Sequence, residues 1–356
     1  MQDMVSILKA AVERGASDVH LVINQPPMIR VRGMVQAMEE FGPISAAESK
    51  QLIYSILYDE QRARFERDWE LDCSVSIPQV ARFRVNVFVQ RNGTEAVMRV
   101  IADKIPSPEE LSFTPVISSL AHLPRGLVLV TGPTGSGKST TLACLLNIIN
   151  EKRQEHILTV EDPIEFVYEP KNCVVRQREV GQHTKSFANA LKYALRQDPD
   201  IILIGEMRDL ETIAAALTIA ETGHLVFATL HTTDAAQTVD RIIDVFPPHQ
   251  QQQVRVQLSV TLKAVISQTL LPRANGIGRI AAREIMIVTP AIANLIREGK
   301  THQIYTAIET GAKMGMISLD RALIDLVQKG EVTLEDAVAK AHNSEYVRTL
   351  GKGGAI

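Results

Sequence analysis

The spacing of apolar residues divides the chain into two patterned stretches with a proline-rich interval between them. Residues 3–14 place Met4, Val5, Leu8, Ala11 and Val12 at helical spacing, and Gly15 closes the stretch, so a first helix is predicted there. From 18 to 35 the pattern shifts to short strand-like runs broken by Pro26, Pro27 and Gly33, and helical periodicity returns over 48–65 with Leu52, Ile56 and Leu57. Residues 82–90 alternate polar and apolar, Asn92-Gly93 signals a hairpin, and 95–101 resumes as a strand. These elements predict a small α+β domain over residues 1–105.

The interval that follows carries Pro106, Pro108, Pro115 and Pro124 with several serines, and 106–124 is read as a linker. Beyond it, 127–131, 157–161, 201–206 and 225–230 are continuous apolar runs separated by helical patterns, as parallel strands buried on both faces require. An α/β domain is predicted over 125–356. Its last hundred residues read as helical, at 252–271, 290–297 and 319–329, and the tail 351–356 is expected to be mobile.

Composition adds exclusions. Apolar residues make up 45% and charged residues 22% of 356 positions, enough to bury two cores and too apolar for wholesale disorder. Lys and Arg number 38 against 41 Asp and Glu, so a net charge of -3 gives no global pull toward nucleic acid or an anionic membrane. Cys73, Cys144 and Cys173 stand far apart, outside zinc or disulfide spacing, which fits a reducing compartment. No apolar run is long enough to span a bilayer and no secretory signal opens the chain, so a cytoplasmic protein without membrane insertion is expected.

The chemistry concentrates at the ends of the apolar runs. Gly132-Pro133-Thr134-Gly135-Ser136-Gly137-Lys138-Ser139 matches GxxxxGK[ST] in full, directly after a strand and before a helix. In such a loop backbone N–H groups surround a β-phosphate, Lys138 bridges β- and γ-phosphates, and Ser139 ligates Mg²⁺. Pro133, Thr134, Gly135, Ser136, Gly137, Lys138, Ser139 and Thr140 are therefore the expected ATP-binding residues. Glu161 and Glu206 follow predicted strands and should lie at the carboxyl edge of the sheet, where ligands bind. Glu161 is the candidate general base and Glu206 the candidate metal-shell acid, with Gly205 where many such ATPases carry an Asp. From spacing alone a solvated strand-end carboxylate is the competing reading. His231 ends the next strand and is a candidate γ-phosphate sensor or a structural histidine; His224 is read as structural.

Four motifs in this order, the loop at 132–140, the acidic box at 161–165, the Walker B segment at 201–209 and the histidine box at 223–232, resemble those of the type IV pilus retraction ATPases, twitching-motility motors of the type II/IV secretion ATPase superfamily. The resemblance implies an N-terminal PAS-like domain joined to a RecA-like P-loop ATPase domain, assembled as a homo-hexamer that uses ATP and Mg²⁺. It implies catalytic roles for Lys138, Glu161, Glu206 and His231, a metal site at Ser139 and Glu206, and arginines reaching the γ-phosphate at Arg84 and Arg99. From sequence alone, those two would be surface arginines on alternating strands. The implied partner is an inner-membrane pilus platform protein, with the motor peripheral to the inner face of the cytoplasmic membrane. Pilus-assembly and type II secretion ATPases share the chemistry, but usually carry a further N-terminal domain and a four-cysteine zinc module, neither of which is expected here. A nucleic-acid motor and a nucleotide-sensing ring without productive turnover are more distant alternatives. Residues 291–298 resemble the retraction signature AIRNLIRE, with Ala293 replacing its first arginine.

Overall fold

A computed structural model describes residues 3–31, 33–101 and 104–351, so residues 352–356 of the expected mobile tail lie outside the described residues. The chain divides into two units, Met1–Lys104 with Pro163–Val167, and Ile105–Asp162 with Tyr168–Ile356.

The N-terminal unit contains, in chain order, α1 (Met4–Glu13), β1 (Asp18–Leu21), β2 (Met28–Val31), β3 (Met34–Ala37), α2 (Ala46–Ile56), α3 (Asp59–Asp68), β4 (Glu70–Ile77), β5 (Ala81–Gln90) and β6 (Gly93–Ile101). The single helical stretch predicted over 48–65 is two helices, because Leu57 and Tyr58 are extended and the Gln61 side chain accepts from Tyr58 N to start a new turn. The strands form one antiparallel sheet in the order β3-β2-β1-β6-β5-β4. Alternation sorts its faces: Phe83, Val85 and Val87 of β5 are buried with Met4, Leu8 and Ile53 from the helices, while Arg82, Arg84 and Asn86 point the other way. The β5–β6 turn falls on Arg91-Asn92 rather than Asn92-Gly93, since Gln90 already pairs with Gly93. That register sets Arg84 directly opposite Arg99.

The second unit opens with a short helix, α4 (Pro115–Ser119), inside the interval read as a linker. Then follow β7 (Gly126–Thr131), α5 (Lys138–Lys152), β8 (His156–Glu161), β9 (Val174–Glu179), α6 (Phe187–Ala194), β10 (Ile201–Ile204), α7 (Leu210–Glu221), β11 (Leu225–Leu230), α8 (Ala235–Asp244) and α9 (Pro248–Thr261). The chain ends with β12 (Leu262–Pro272), β13 (Arg279–Ile287), α10 (Pro290–Glu298), α11 (Ile304–Thr310), α12 (Leu319–Gln328), α13 (Leu334–Lys340) and α14 (Ser344–Gly351). The four apolar runs read as strands are β7, β8, β10 and β11. The helix expected over 252–271 stops at Thr261, and Leu262 begins a strand. That strand is buried on both faces over most of its length, and such a run lacks the alternation that separates strand from helix.

The sheet order is β13-β12-β7-β11-β10-β8-β9, parallel throughout except for the β12–β13 hairpin. Helices cover it and bury a core running from Leu127 and Leu129 through Ile202, Val226 and Ile243. A separate cluster packs Leu319, Leu323, Ile324, Val332 and Val347 of the C-terminal segments against Leu271 and Ile280, at the far end of the hairpin. Among the described residues no helix is long and apolar enough to cross a membrane.

Candidate active site

Parallel strands bring their carboxyl ends to one edge, and the register shows which residues arrive together. Thr131 pairs with Leu230, Ala228 with Ile204, and Ile204 with Val160, so the P-loop, His231, Gly205-Glu206 and Glu161 all leave the sheet at the same edge.

The P-loop runs from β7 into α5, whose first residue is Lys138 and whose cap, Gly137, offers no side-chain acceptor to the first-turn N–H groups. Those donors and the helix dipole make a cradle suited to an anion. Pro133, Thr134 and Gly135 are exposed at the crest, while Gly137, Lys138, Ser139 and Thr140 are half-buried. Lys138 Nζ donates to the carbonyls of Gly132 (2.8 Å) and Pro133 (3.1 Å), curled over the loop. Ser136 is 2% exposed and its Oγ has no hydrogen-bond partner, an orphaned donor in the cradle that fits a phosphate oxygen.

Gln268 of β12 holds the loop shut from behind. Its Nε2 donates to Ser136 O at 2.7 Å and its Oε1 accepts from Thr141 Oγ1 at 2.9 Å; one residue back, the Ser267 and Thr131 hydroxyls pair at 2.8 Å. At Gly132, with φ +139°, a Cβ would lie 2.2 Å from Gln268 O and 2.7 Å from Ser136 Oγ, so only glycine lets strand and loop approach. Sequence reasoning missed Gln268 because its segment was read as helix; an amide in an apolar run was the available signal.

Beside Gly137 and Gln268 lies a cavity of about 350 Å³, lined also by Thr140, Thr141, Leu270 and Arg283. The Arg283 guanidinium is buried, which pulls its pKa down to about 10. It donates to Leu111 O at 3.0 Å and lies 5.2 Å from the Phe113 ring centre, and its Nε is buried without a partner.

Glu161 ends β8 and is 8% exposed; Thr159 Oγ1 donates to its Oε1 at 2.6 Å. Gly205 explains the missing aspartate: a Cβ there would sit 3.1 Å from Glu161 Cα and 3.2 Å from Val160 O. Any side chain at 205 pushes the Glu161 backbone. We therefore expect Gly205→Ala to lower kcat by up to about tenfold, since displacements well below 1 Å at a reacting group are felt this strongly. ATP affinity should be retained; steady-state phosphate release against ATP concentration checks both.

Glu206 is gripped from two sides. Arg208 Nη2 donates to Oε2 at 2.6 Å, and His231 Nε2 lies 2.7 Å from Oε1. Burial pushes the Glu206 carboxyl up, but the Arg208 hydrogen bond and the nearby His231 and Arg208 charges outweigh it and leave it below the usual carboxylate range. Glu206 and His231, read separately from the sequence, form one unit, and Arg208 is a member that sequence reasoning left without a role. His224 sits at the opposite end of β11 with Nδ1 3.0 Å from Ile219 O, a locally satisfied structural residue.

Arg84 and Arg99 are brought together within the N-terminal unit. Like charges directly across a ladder repel, and each is offset by a carboxylate: Asp72 Oδ2 at 2.6 Å from Arg84, and Asp18 Oδ1 at 2.9 Å from Arg99. Asp18 is 7% exposed, whereas most of the Arg99 side chain is open to solvent.

The comparisons agree with this geometry. The family model described as "Type II/IV secretion system protein" matches residues 1–339. The type IV pilus retraction ATPase PilT of Pseudomonas aeruginosa is 55% identical over 339 residues, covering 95% of this chain and 98% of that one. A twitching motility protein of Neisseria gonorrhoeae is 50% identical over 342 residues, 96% and 91% of the two chains. Among solved structures, a crystal structure of the pilus retraction motor PilT with bound ADP superposes with a TM-score of 0.91 at 44% identity, covering 97% of this chain and 98% of that one. A phosphate cradle closed by Gln268, with Glu161 and the Glu206–His231 pair at the same sheet edge, thus stands in a chain that belongs to the type II/IV secretion system protein family and is a P-loop ATPase of its pilus-retraction branch.

Proposed function

We propose that this chain is the subunit of a homo-hexameric, Mg²⁺-dependent ATPase that powers type IV pilus retraction, working at the inner face of the cytoplasmic membrane against a pilus platform protein. The observation that carries it is near full-length identity of 55% to a protein named as a retraction ATPase, in a chain whose P-loop, acidic and histidine elements share one edge.

Lys138 and the loop amides hold the triphosphate, and the nucleobase enters the cavity beside Thr140. Ser139 and Glu206 fit Mg²⁺: both are hard oxygen donors, and Arg208 and His231 keep the Glu206 carboxylate ionised. When bound, the metal neutralises charge building on the phosphate oxygens. Glu161 takes a proton from the water that attacks the γ-phosphorus, as the bond to the β,γ-bridging oxygen breaks and ADP departs. His231 senses the γ-phosphate through Glu206. Arg84 and Arg99 add positive charge to the transition state, a contribution worth about 10³ to 10⁵ in rate in related phosphoryl transfers. In the ring the N-terminal domain of each subunit, residues 1–105, moves with nucleotide state against its neighbour's ATPase domain, 125–356, and this motion turns the platform.

Deleting the gene in its own host and counting surface pili by electron microscopy tests the direction of work. Excess pili on non-twitching cells are expected. Bald cells would make the protein an assembly ATPase, and unchanged piliation with no phosphate release by the purified protein would leave a nucleotide-sensing ring.

A further inference from the structure

Glu161 does not stand alone at the end of its strand. Thr159, two residues earlier on β8, shares its face of the sheet, and its hydroxyl makes the 2.6 Å hydrogen bond to Oε1. Directly across from Thr159 on β9 is Gln177, whose Nε2 reaches the same Oε1 at a longer 3.4 Å. The Gln177 amide is itself oriented, because its Oε1 accepts from Tyr168 N at 2.9 Å and so turns the NH₂ toward Glu161. Two donors from neighbouring strands thus converge on one carboxylate oxygen. Thr159 is fully buried, where a hydroxyl costs stability unless it is used.

We propose that Thr159, assisted by Gln177, is a positioning residue that fixes the plane of the Glu161 carboxylate and holds it as the charged base. The inference rests on the reading of Glu161 as general base. Glu179, buried on β9, is in register with Glu161; Asp162 is next in the chain; Glu206, held by Arg208 and His231, follows the β10 end on the other side. Hydrogen bonds donated to a carboxylate favour its ionised form, and two of them meet on Glu161 here.

The test compares Thr159→Val, which keeps the shape and removes the hydroxyl, with Thr159→Ser, which restores it. In Thr159→Val kcat is expected to fall about tenfold, the scale of one hydrogen bond to a charged group. KM for ATP should stay unchanged, and the acid limb of the kcat–pH profile should move to higher pH. Thr159→Ser should recover rate and profile. Gln177→Met, on the edge strand and half-exposed, should shift the limb the same way by less, and carries the test if Thr159→Val fails to fold. A general packing defect would lower the rate without moving the limb. An unmoved limb with wild-type kcat, beside an inactive Glu161→Gln, would overturn the positioning role alone. An active Glu161→Gln would bring down the base assignment and this inference with it.

Discussion

Glu161→Gln is expected to leave ATP binding within a few-fold of the unaltered protein and to reduce turnover by about 10² to 10⁴, the range that a positioned proton acceptor supplies. The replacement is isosteric, and its amide oxygen still accepts from Thr159, so the fold around the end of β8 should be unchanged. What is lost is the capacity to take a proton. Binding of a fluorescent ATP analogue, measured beside steady-state phosphate release, separates the two. Turnover at the original level would assign the base to another group. Loss of binding and turnover together would mean that Glu161 acts on the shape of the site.

The second large effect is expected at Gly132. In Gly132→Ala the new methyl group would occupy space already held by Gln268 O and Ser136 Oγ, at a φ of +139° that side-chain-bearing residues rarely adopt. Backbone strain alone costs about 1 to 3 kcal/mol, and the overlap must be relieved by moving either the loop or β12. Both hold the cradle. Nucleotide affinity should therefore fall to the point where no saturation is seen, with a melting temperature lowered by several degrees. Titration of ATP against the purified variant, with thermal denaturation in parallel, checks both. Intact affinity would show that the loop re-forms with a displaced strand.

Legibility followed the strength of local signals. The P-loop was plain because a complete motif sat at a strand-to-helix junction, and β7, β8, β10 and β11 were plain because each is a short, almost wholly buried apolar run. The pairing of Arg84 with Arg99 depended on the hairpin: a turn at Arg91-Asn92 puts them opposite each other, whereas the expected turn at Asn92-Gly93 would have set Arg84 against Ile101. Gly93 still has a reason to be glycine, since its φ is +138°. β12 was not legible. No glycine or proline marks the step from Thr261 to Leu262, and what makes the segment a strand is its pairing, with Leu127–Thr131 from far earlier in the chain on one side and with β13 on the other. Gln268 was lost with it, and so were the contacts that close the phosphate loop. The Glu206–Arg208–His231 arrangement needed the β10–β11 register, which no single segment contains.

β12 also joins two places that sequence distance keeps apart. At Gln268 it is bonded to the floor of the phosphate loop, and three residues later, at Leu271, it enters the apolar cluster of the C-terminal helices. At the rise of a strand, about 3.3 Å per residue, these points lie roughly 10 Å apart on one element, paired through this stretch with β13. Such an element is stiff along its length. A shift of the loop at Ser136 would pass through Gln268 into the strand on which the terminal helices are seated. The phosphate loop and the seat of the terminal helices thus share a single girder.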